Sequence, residues 1–189
     1  GKNFYTRFSA RQTLGLIKAQ RIQEGNIDQA QADISTLETK LNSQEANARF
    51  AAITALGPEY IAFVLRGGTD RVTVPILELG LRDADAWVRS GALEILAQIC
   101  IELTRQGKVN QVSPPIITRL EAHLDDDMWF IRQFAVEALG HIYALLILQG
   151  KTAQVHLALL EAKLNDLNRE SRISAAQVLG LIYSMLIQE

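Results

Sequence analysis

Apolar residues recur along this chain with a helical period, in long segments that alternate with shorter ones. Each long segment carries an arginine near its start, then an alanine three positions later and a small residue eight positions later. Such steps keep these positions on one face of a helix. The arginines are Arg7, Arg49, Arg89, Arg132 and Arg172, at spacings of 42, 40, 43 and 40 residues. The pattern therefore predicts an all-α chain built from one unit repeated about five times.

The same pattern predicts about nine helices. Long helices are expected near 6–24, 47–66, 86–106, 129–149 and 169–188, and shorter ones near 28–42, 73–82, 115–124 and 153–165. Gly107 and Gly150 each follow a long apolar segment, which is a helix C-terminus signal because glycine adopts the left-handed conformation readily. The chain thus divides into a half repeat, 1–24, and four repeats, 25–66, 67–106, 107–149 and 150–189.

A polar turn between the short and the long helix carries a more specific motif. An aspartate lies six residues before the arginine in three units, as the pairs Asp83 and Arg89, Asp126 and Arg132, and Asp166 and Arg172. The pattern Asp-x4-Val-Arg-x2-Ala-x3-Leu resembles HEAT repeats of the armadillo-type α-solenoid family. This resemblance implies a right-handed α-α superhelix over residues 1–189, with the six side chains forming a ladder between successive units. The unit at Arg49 departs from the motif, with Ser43 in the aspartate slot.

The two ends of the sequence are similar to each other. Residues 7–24 parallel residues 172–189, and the first copy continues into another repeat. Solenoid ends normally carry polar capping units, because each repeat buries its face only against its neighbours. Neither end has such a unit. We therefore expect a segment of a longer protein, and a naturally short protein is the alternative.

Composition and charge indicate which classes of partner and which cellular compartment to expect. The formal net charge is −2, and no long helix presents clustered lysines, so nucleic-acid binding is disfavoured. Apolar runs such as 142–148 are shorter than the ~20 residues that span a bilayer, so we expect no membrane insertion. One cysteine excludes an intramolecular disulfide and agrees with a reducing compartment. A cytoplasmic protein is the expectation.

Residues that could carry chemistry are scattered. His123, His141 and His156 are too far apart along the chain for a helical metal pair. Cys100 shares its repeat slot with tyrosines, which suggests packing rather than nucleophilic catalysis. The run 125–127 lacks the spacing of a calcium loop and is expected to cap the next helix. We therefore predict no cofactor, no metal and no enzymatic activity.

Trp87 and Trp129 begin long helices beside the polar turns. They either seal the joint between repeats or form an exposed binding hot spot.

A groove is the natural place for a partner. In a HEAT-like stack the long helices line the concave side, with outward positions one, five and nine residues after each arginine. The resulting candidates are Ser90, Glu94, Gln98, Gln133, Glu137, His141 and Gln177. We predict a non-enzymatic scaffold that binds a partner peptide or helix along this surface, with the glutamates selecting its charge. A plain solvated face is the competing interpretation.

Other functions stay open. The segment could be a regulatory or sensor arm of a larger multidomain signalling protein. Less expected are a bilin lyase of the HEAT-like type, which is similar in repeat pattern, and a nucleic-acid-binding protein.

Overall fold

The computed structural model describes residues 13–20, 27–66, 74–108 and 114–187. These ranges contain nine α-helices and no strand, so the all-α prediction is confirmed for them. The helices are α1 (13–20), α2 (Ile27–Lys40), α3 (Ala46–Leu65), α4 (Val74–Leu81), α5 (Ala86–Arg105), α6 (Pro114–Ala122), α7 (Trp129–Leu148), α8 (Leu157–Ala162) and α9 (Arg169–Ile187). Long and short helices alternate as the periodicity predicts. The outer parts of the first predicted helix, 6–12 and 21–24, lie outside the described residues.

The short helices end earlier than predicted. After α6 the chain tightens into the 3₁₀ turn His123–Asp125, and α8 lies between two such turns, Thr152–Gln154 and Lys163–Asn165. For α6 and α8, the physical reason is the aspartate that follows the 3₁₀ turn. Asp126 and Asp166 both adopt an extended backbone with φ −57° and ψ 146°, which stops helix propagation.

Two glycines close the long helices as the sequence predicts. Gly107 has φ 72° and Gly150 has φ 68°, both in the left-handed region. The next amide reaches back across the final turn, with Lys108 N donating to Leu103 O at 2.9 Å and Lys151 N to Leu146 O at 2.8 Å. This 6→1 bond satisfies carbonyls that a helix end leaves unpaired.

The helices pack as two compact units, divided within α5 after Glu102. In the first unit, Ile53 of α3 lies against α5, so that a Cβ atom on Gly91 would stand 2.7 Å from it. In the second unit, α7 packs along α9, and α6 and α8 each pack against the long helix that follows them. The repeated alanine and leucine slots supply the buried residues Ala52, Leu56, Ala92, Leu96, Ala135, Leu139, Ala175 and Leu179.

Two helices are apolar over a greater length than the sequence runs indicated. By length and composition, α3 and α7 could each cross a membrane. Inside the fold, however, 61% of the apolar window of α3 and 78% of that of α7 is buried. Packing against other helices therefore accounts for their apolar character.

Candidate functional site

A bidentate arginine–aspartate pair joins consecutive repeats at the polar turns. Arg49 donates from Nε and Nη2 to the two carboxylate oxygens of Asp83, at 2.7 and 2.8 Å. Arg132 binds Asp166 in the same way, at 2.7 and 3.0 Å. In both pairs the partners are 34 residues apart. We call this interaction the Arg–Asp clamp; two parallel charge-assisted bonds fix orientation as well as distance.

The same arginines also hold the turn that precedes their own helix. In each repeat Nη1 donates to the backbone carbonyls six and five residues earlier, at 2.7 to 3.1 Å. The arginines are Arg49, Arg89, Arg132 and Arg172. One guanidinium therefore shapes its own turn with one nitrogen and, in a clamp, binds the next repeat with the other two.

The aspartates organise the turn from the other side. Oδ1 of Asp83, of Asp126 and of Asp166 accepts the backbone amide two residues later, at 2.8 to 2.9 Å. The next helix is then capped, by Asp85 for α5 and by Asn168 for α9, whose side-chain oxygens accept amides of the first turn. Short polar side chains at these positions replace the missing helical hydrogen bonds. The predicted capping of α7 by residues 125–127 is wrong: its N-cap residue is Met128, which makes no side-chain cap hydrogen bond, and Asp126 instead accepts the Met128 amide within the turn.

The clamp favours the charged forms of both partners. Hydrogen bonding to Arg132 holds the pKa of the Asp166 carboxyl below its usual value, although burial acts in the opposite direction. Arg49 lowers the pKa of Asp83 for the same reason. The clamp side chains are mostly buried, so each charge depends on its partner.

The predicted groove residues do not form an outward surface. Ser90, Glu94, Gln98, Gln133 and Glu137 are buried, each at most 8% exposed, so their predicted outward orientation is wrong. His141 is half-buried, and Gln177 is exposed.

The polar side chains of α7 are buried because α9 packs along that face. Glu137 Oε1 accepts a hydrogen bond from Gln133 Nε2 at 2.9 Å, within the helix, and from Ser174 Oγ of α9 at 2.8 Å. A buried carboxylate needs such donors to offset the loss of water. Sequence reasoning did not identify Ser174, since a serine on a helix gives no signal of a partner 37 residues away.

His141 is affected by the same cluster. Burial lowers the pKa of its imidazole; the charge of Glu137 opposes this change, and that of Arg105 adds to it. The neutral form is therefore favoured in the folded chain.

A second repeated contact joins three of the four short helices, α2, α6 and α8, to the long helix that follows. Tyr60 donates to Glu38 at 2.6 Å and Tyr143 to Glu121 at 2.5 Å, and Tyr183 donates to Glu161. Each pair is 22 residues apart. These pairs were not predicted from the sequence, although the constant offset of 22 residues between glutamate and tyrosine is visible there.

Cys100 occupies the slot of these tyrosines. It is completely buried, and burial raises the pKa of its thiol to about 12. A thiol in that state is not a nucleophile at neutral pH, which agrees with the predicted packing role. No group of three or more histidine, cysteine, aspartate or glutamate side chains that could hold a metal occurs among the residues that the structure describes.

The tryptophans beside the turns are substantially exposed. Trp87 is 53% and Trp129 is 42% exposed. Trp87 makes an edge contact with Phe50 at a centroid distance of 6.4 Å. Each ring is thus partly packed and partly accessible to solvent.

An uncovered surface lies along α9. Its members lie along one face of the helix, at successive steps of three residues or one, and are exposed or half-buried: Ile173, Ala176, Gln177, Gly180, Leu181, Ser184 and Ile187. Leu181 is 46% and Ile187 is 84% exposed. We call this surface the α9 stripe. Exposed apolar side chains on one face of a helix make this surface a candidate interaction site.

Comparison with known proteins yields only a likeness of fold. No protein-family model matches the chain, and no curated protein matches it in sequence. Solved structures do match, among them the crystal structure of an engineered protein with 18% sequence identity and a TM-score of 0.57. The match covers 79% of this chain but only 62% of that protein, so the chain spans less than two thirds of its length.

Proposed function

We propose that this chain is a non-enzymatic protein-interaction scaffold whose binding surface is the α9 stripe. The observation that carries the proposal is the exposure of Leu181 and Ile187 beside the small residues Gly180 and Ser184. Burying such side chains against a partner is favourable, by about 1.5–3 kcal/mol for a fully buried leucine or isoleucine.

The chemistry of the described residues supports a binding role over a catalytic one. The thiol is buried with a raised pKa, and Arg49, Arg132, Asp83 and Asp166 are engaged in clamps. The proposed partner is a protein, and the proposal includes no cofactor, metal or nucleic acid.

A HEAT-like right-handed solenoid is the architecture that we propose for this scaffold. Its support is the repetition of the Arg–Asp clamp at one offset and of the tyrosine–glutamate contact at another. Stacking of identical units at fixed offsets is the defining property of solenoid proteins.

Capture of proteins from the chain's own cell extract tests the binding role, with partners identified by mass spectrometry and binding repeated with purified components. The test variant is Leu181→Arg/Ile187→Arg. The matched control is Leu148→Arg/Leu159→Arg, which places the same charges on exposed leucines outside α9. We expect the natural chain and the control to retain a partner that the test variant loses, with equal helical content in all three. Retention by the test variant would overturn the proposal.

A further inference from the structure

The α9 stripe has a counterpart on α7 that is already covered. Adding 40 to the residue numbers of α7 gives the stripe, because Arg132 and Arg172 are 40 residues apart. The α7 counterparts are Gln133, Val136, Glu137, Gly140, His141, Ala144 and Ile147, of which all but the half-buried His141 are buried. Helix α9 covers this face. The α7–α9 contact therefore serves as a template for what fits on α9.

The small residue of each face marks the point of closest approach. A Cβ atom on Gly140 would stand 2.5 Å from Val178 Cβ and 2.6 Å from its Cγ1. The same atom on Gly180 would have nothing within 4 Å. Gly180 thus borders open space, and its missing side chain leaves room for a branched side chain like Val178 of a partner.

The clamp is also incomplete at this end of the described fold. Arg172 Nη1 binds the carbonyls of Asp166 and Leu167, as in the other repeats. Among the described residues, its Nε and Nη2 make no hydrogen bond, whereas those of Arg132 hold Asp166. The turn already orients this guanidinium, so its free edge can accept a carboxylate with little further ordering.

We propose that the α9 stripe docks a helical hairpin of the same repeat type. Its turn aspartate binds the Nε and Nη2 edge of Arg172, and a branched apolar side chain of its long helix packs against Gly180. The inference rests on the proposed function and specifies the partner of that surface. A second copy of this chain is a poorer occupant, because its Asp83 and Asp166 are already held by Arg49 and Arg132.

A tandem chain provides the probe. A copy of residues 150–189 is appended directly after Glu189, which places the copied Asp166 34 residues after Arg172 and the copied Val178 38 residues after Gly180. These offsets equal those from Arg132 to Asp166 and from Gly140 to Val178. We expect one cooperative unfolding transition, and hydrogen exchange of the α9 amides at least about tenfold slower than in the natural chain.

Two variants separate specific docking from mere attachment. Changing the copied aspartate to asparagine should restore about tenfold faster exchange, since it weakens a charge-assisted bidentate bond. Gly180→Val should lower the melting temperature of the tandem chain, where it meets the copied valine, and leave that of the natural chain unchanged or higher. An unfolded copy, or unchanged α9 exchange in the tandem chain, would overturn the inference. So would equal effects of Gly180→Val in both chains.

Identification of the natural partner distinguishes failure of the docking inference from failure of the proposed function. If Leu181→Arg/Ile187→Arg releases a partner that contains no helical hairpin, the scaffold function stands and this inference fails. A natural chain that dimerises, and becomes monomeric with Arg172→Lys, would show a second copy as the occupant and also overturn it. Failure of the stripe variant to release any partner contradicts the proposed function, whereas the tandem chain still decides the docking geometry.

Discussion

Gly140 of α7 lies so close to Val178 of α9 that a Cβ atom on it would stand 2.5 Å from the valine Cβ. The Val178 side chain is branched at Cβ and held on a helix, so it cannot rotate away from an added methyl group at little cost. Gly140 is therefore a packing residue, and its lack of a side chain allows α9 to cover α7.

Alanine at this position should destabilise the chain, and alanine at the equivalent Gly180 should not. We expect Gly140→Ala to lower the free energy of unfolding by about 1–3 kcal/mol, because the added methyl overpacks the contact. Gly180→Ala should raise it by about 0.5–1 kcal/mol, because alanine favours the helix and the site is open. Urea unfolding of both variants measures the difference. Equal effects at the two positions would contradict the packing role.

Lysine in place of arginine should separate the two functions of the clamp guanidinium. Arg132→Lys loses both the turn bonds and the bidentate bond to Asp166, whereas Arg172→Lys loses only turn bonds among the described residues. We expect Arg132→Lys to lower the free energy of unfolding by about 1–3 kcal/mol, and Arg172→Lys to lower it by distinctly less. Denaturant midpoints of the two variants check this. A greater loss of stability in the Arg172 variant would mean that the Arg–Asp clamp of Arg132 contributes little to the free energy of unfolding.

The helices of this chain could be predicted, but the exposure of their polar residues could not. The positions of alanine, leucine and glycine around Arg89 and Arg132 indicated where the long helices begin and end. Glu94 and Glu137 each lie five residues after an arginine, a position that the HEAT-like pattern predicts to face outward. Glu137 is nevertheless buried, since Ser174 and Gln133 supply its donors. Such a pairing depends on which helix face meets which neighbour, and periodicity within one helix does not contain that information.

The free energy of unfolding should decrease as the pH is lowered, because His141 titrates at a lower pH in the folded chain than in the unfolded chain. Its folded-state pKa lies below the ordinary 6.5, so the unfolded chain binds this proton at higher pH than the folded chain does. The resulting stability is fully present above about pH 6.5 and is lost as the pH falls below it. Asp83 and Asp166, whose folded-state pKa values are lowered from 3.8, also stabilise the fold at neutral pH, and their contribution is lost only in more acidic solution, as the pH falls below about 3.8.

His141→Gln should therefore weaken the dependence of stability on pH between about 7.5 and 5. Chemical unfolding across this range gives the slope for each chain. Glu137 and Arg105 are unchanged in the variant, so the difference reports His141 itself. Parallel curves for the two chains would exclude this histidine as the source.

Cys100 should react with thiol reagents only when the chain opens. Raising the thiol pKa from 9.0 to about 12 lowers the thiolate fraction about a thousandfold at neutral pH, and burial also blocks access. Alkylation followed by mass spectrometry should show protection in the native state and rapid labelling in urea. Fast labelling of the natively folded chain would mean that this part of the core opens readily.

The bonds of Arg132 differ greatly in the length of chain that they close. Two join it to carbonyls five and six residues away, and two join it to a carboxylate 34 residues away. Short loops close at a lower entropic cost, so we expect the turn to form early during folding and the bond to the next repeat to form late. Interactions formed late slow unfolding more than they speed folding. We therefore expect Arg132 to slow the unfolding of the paired repeats without slowing their folding.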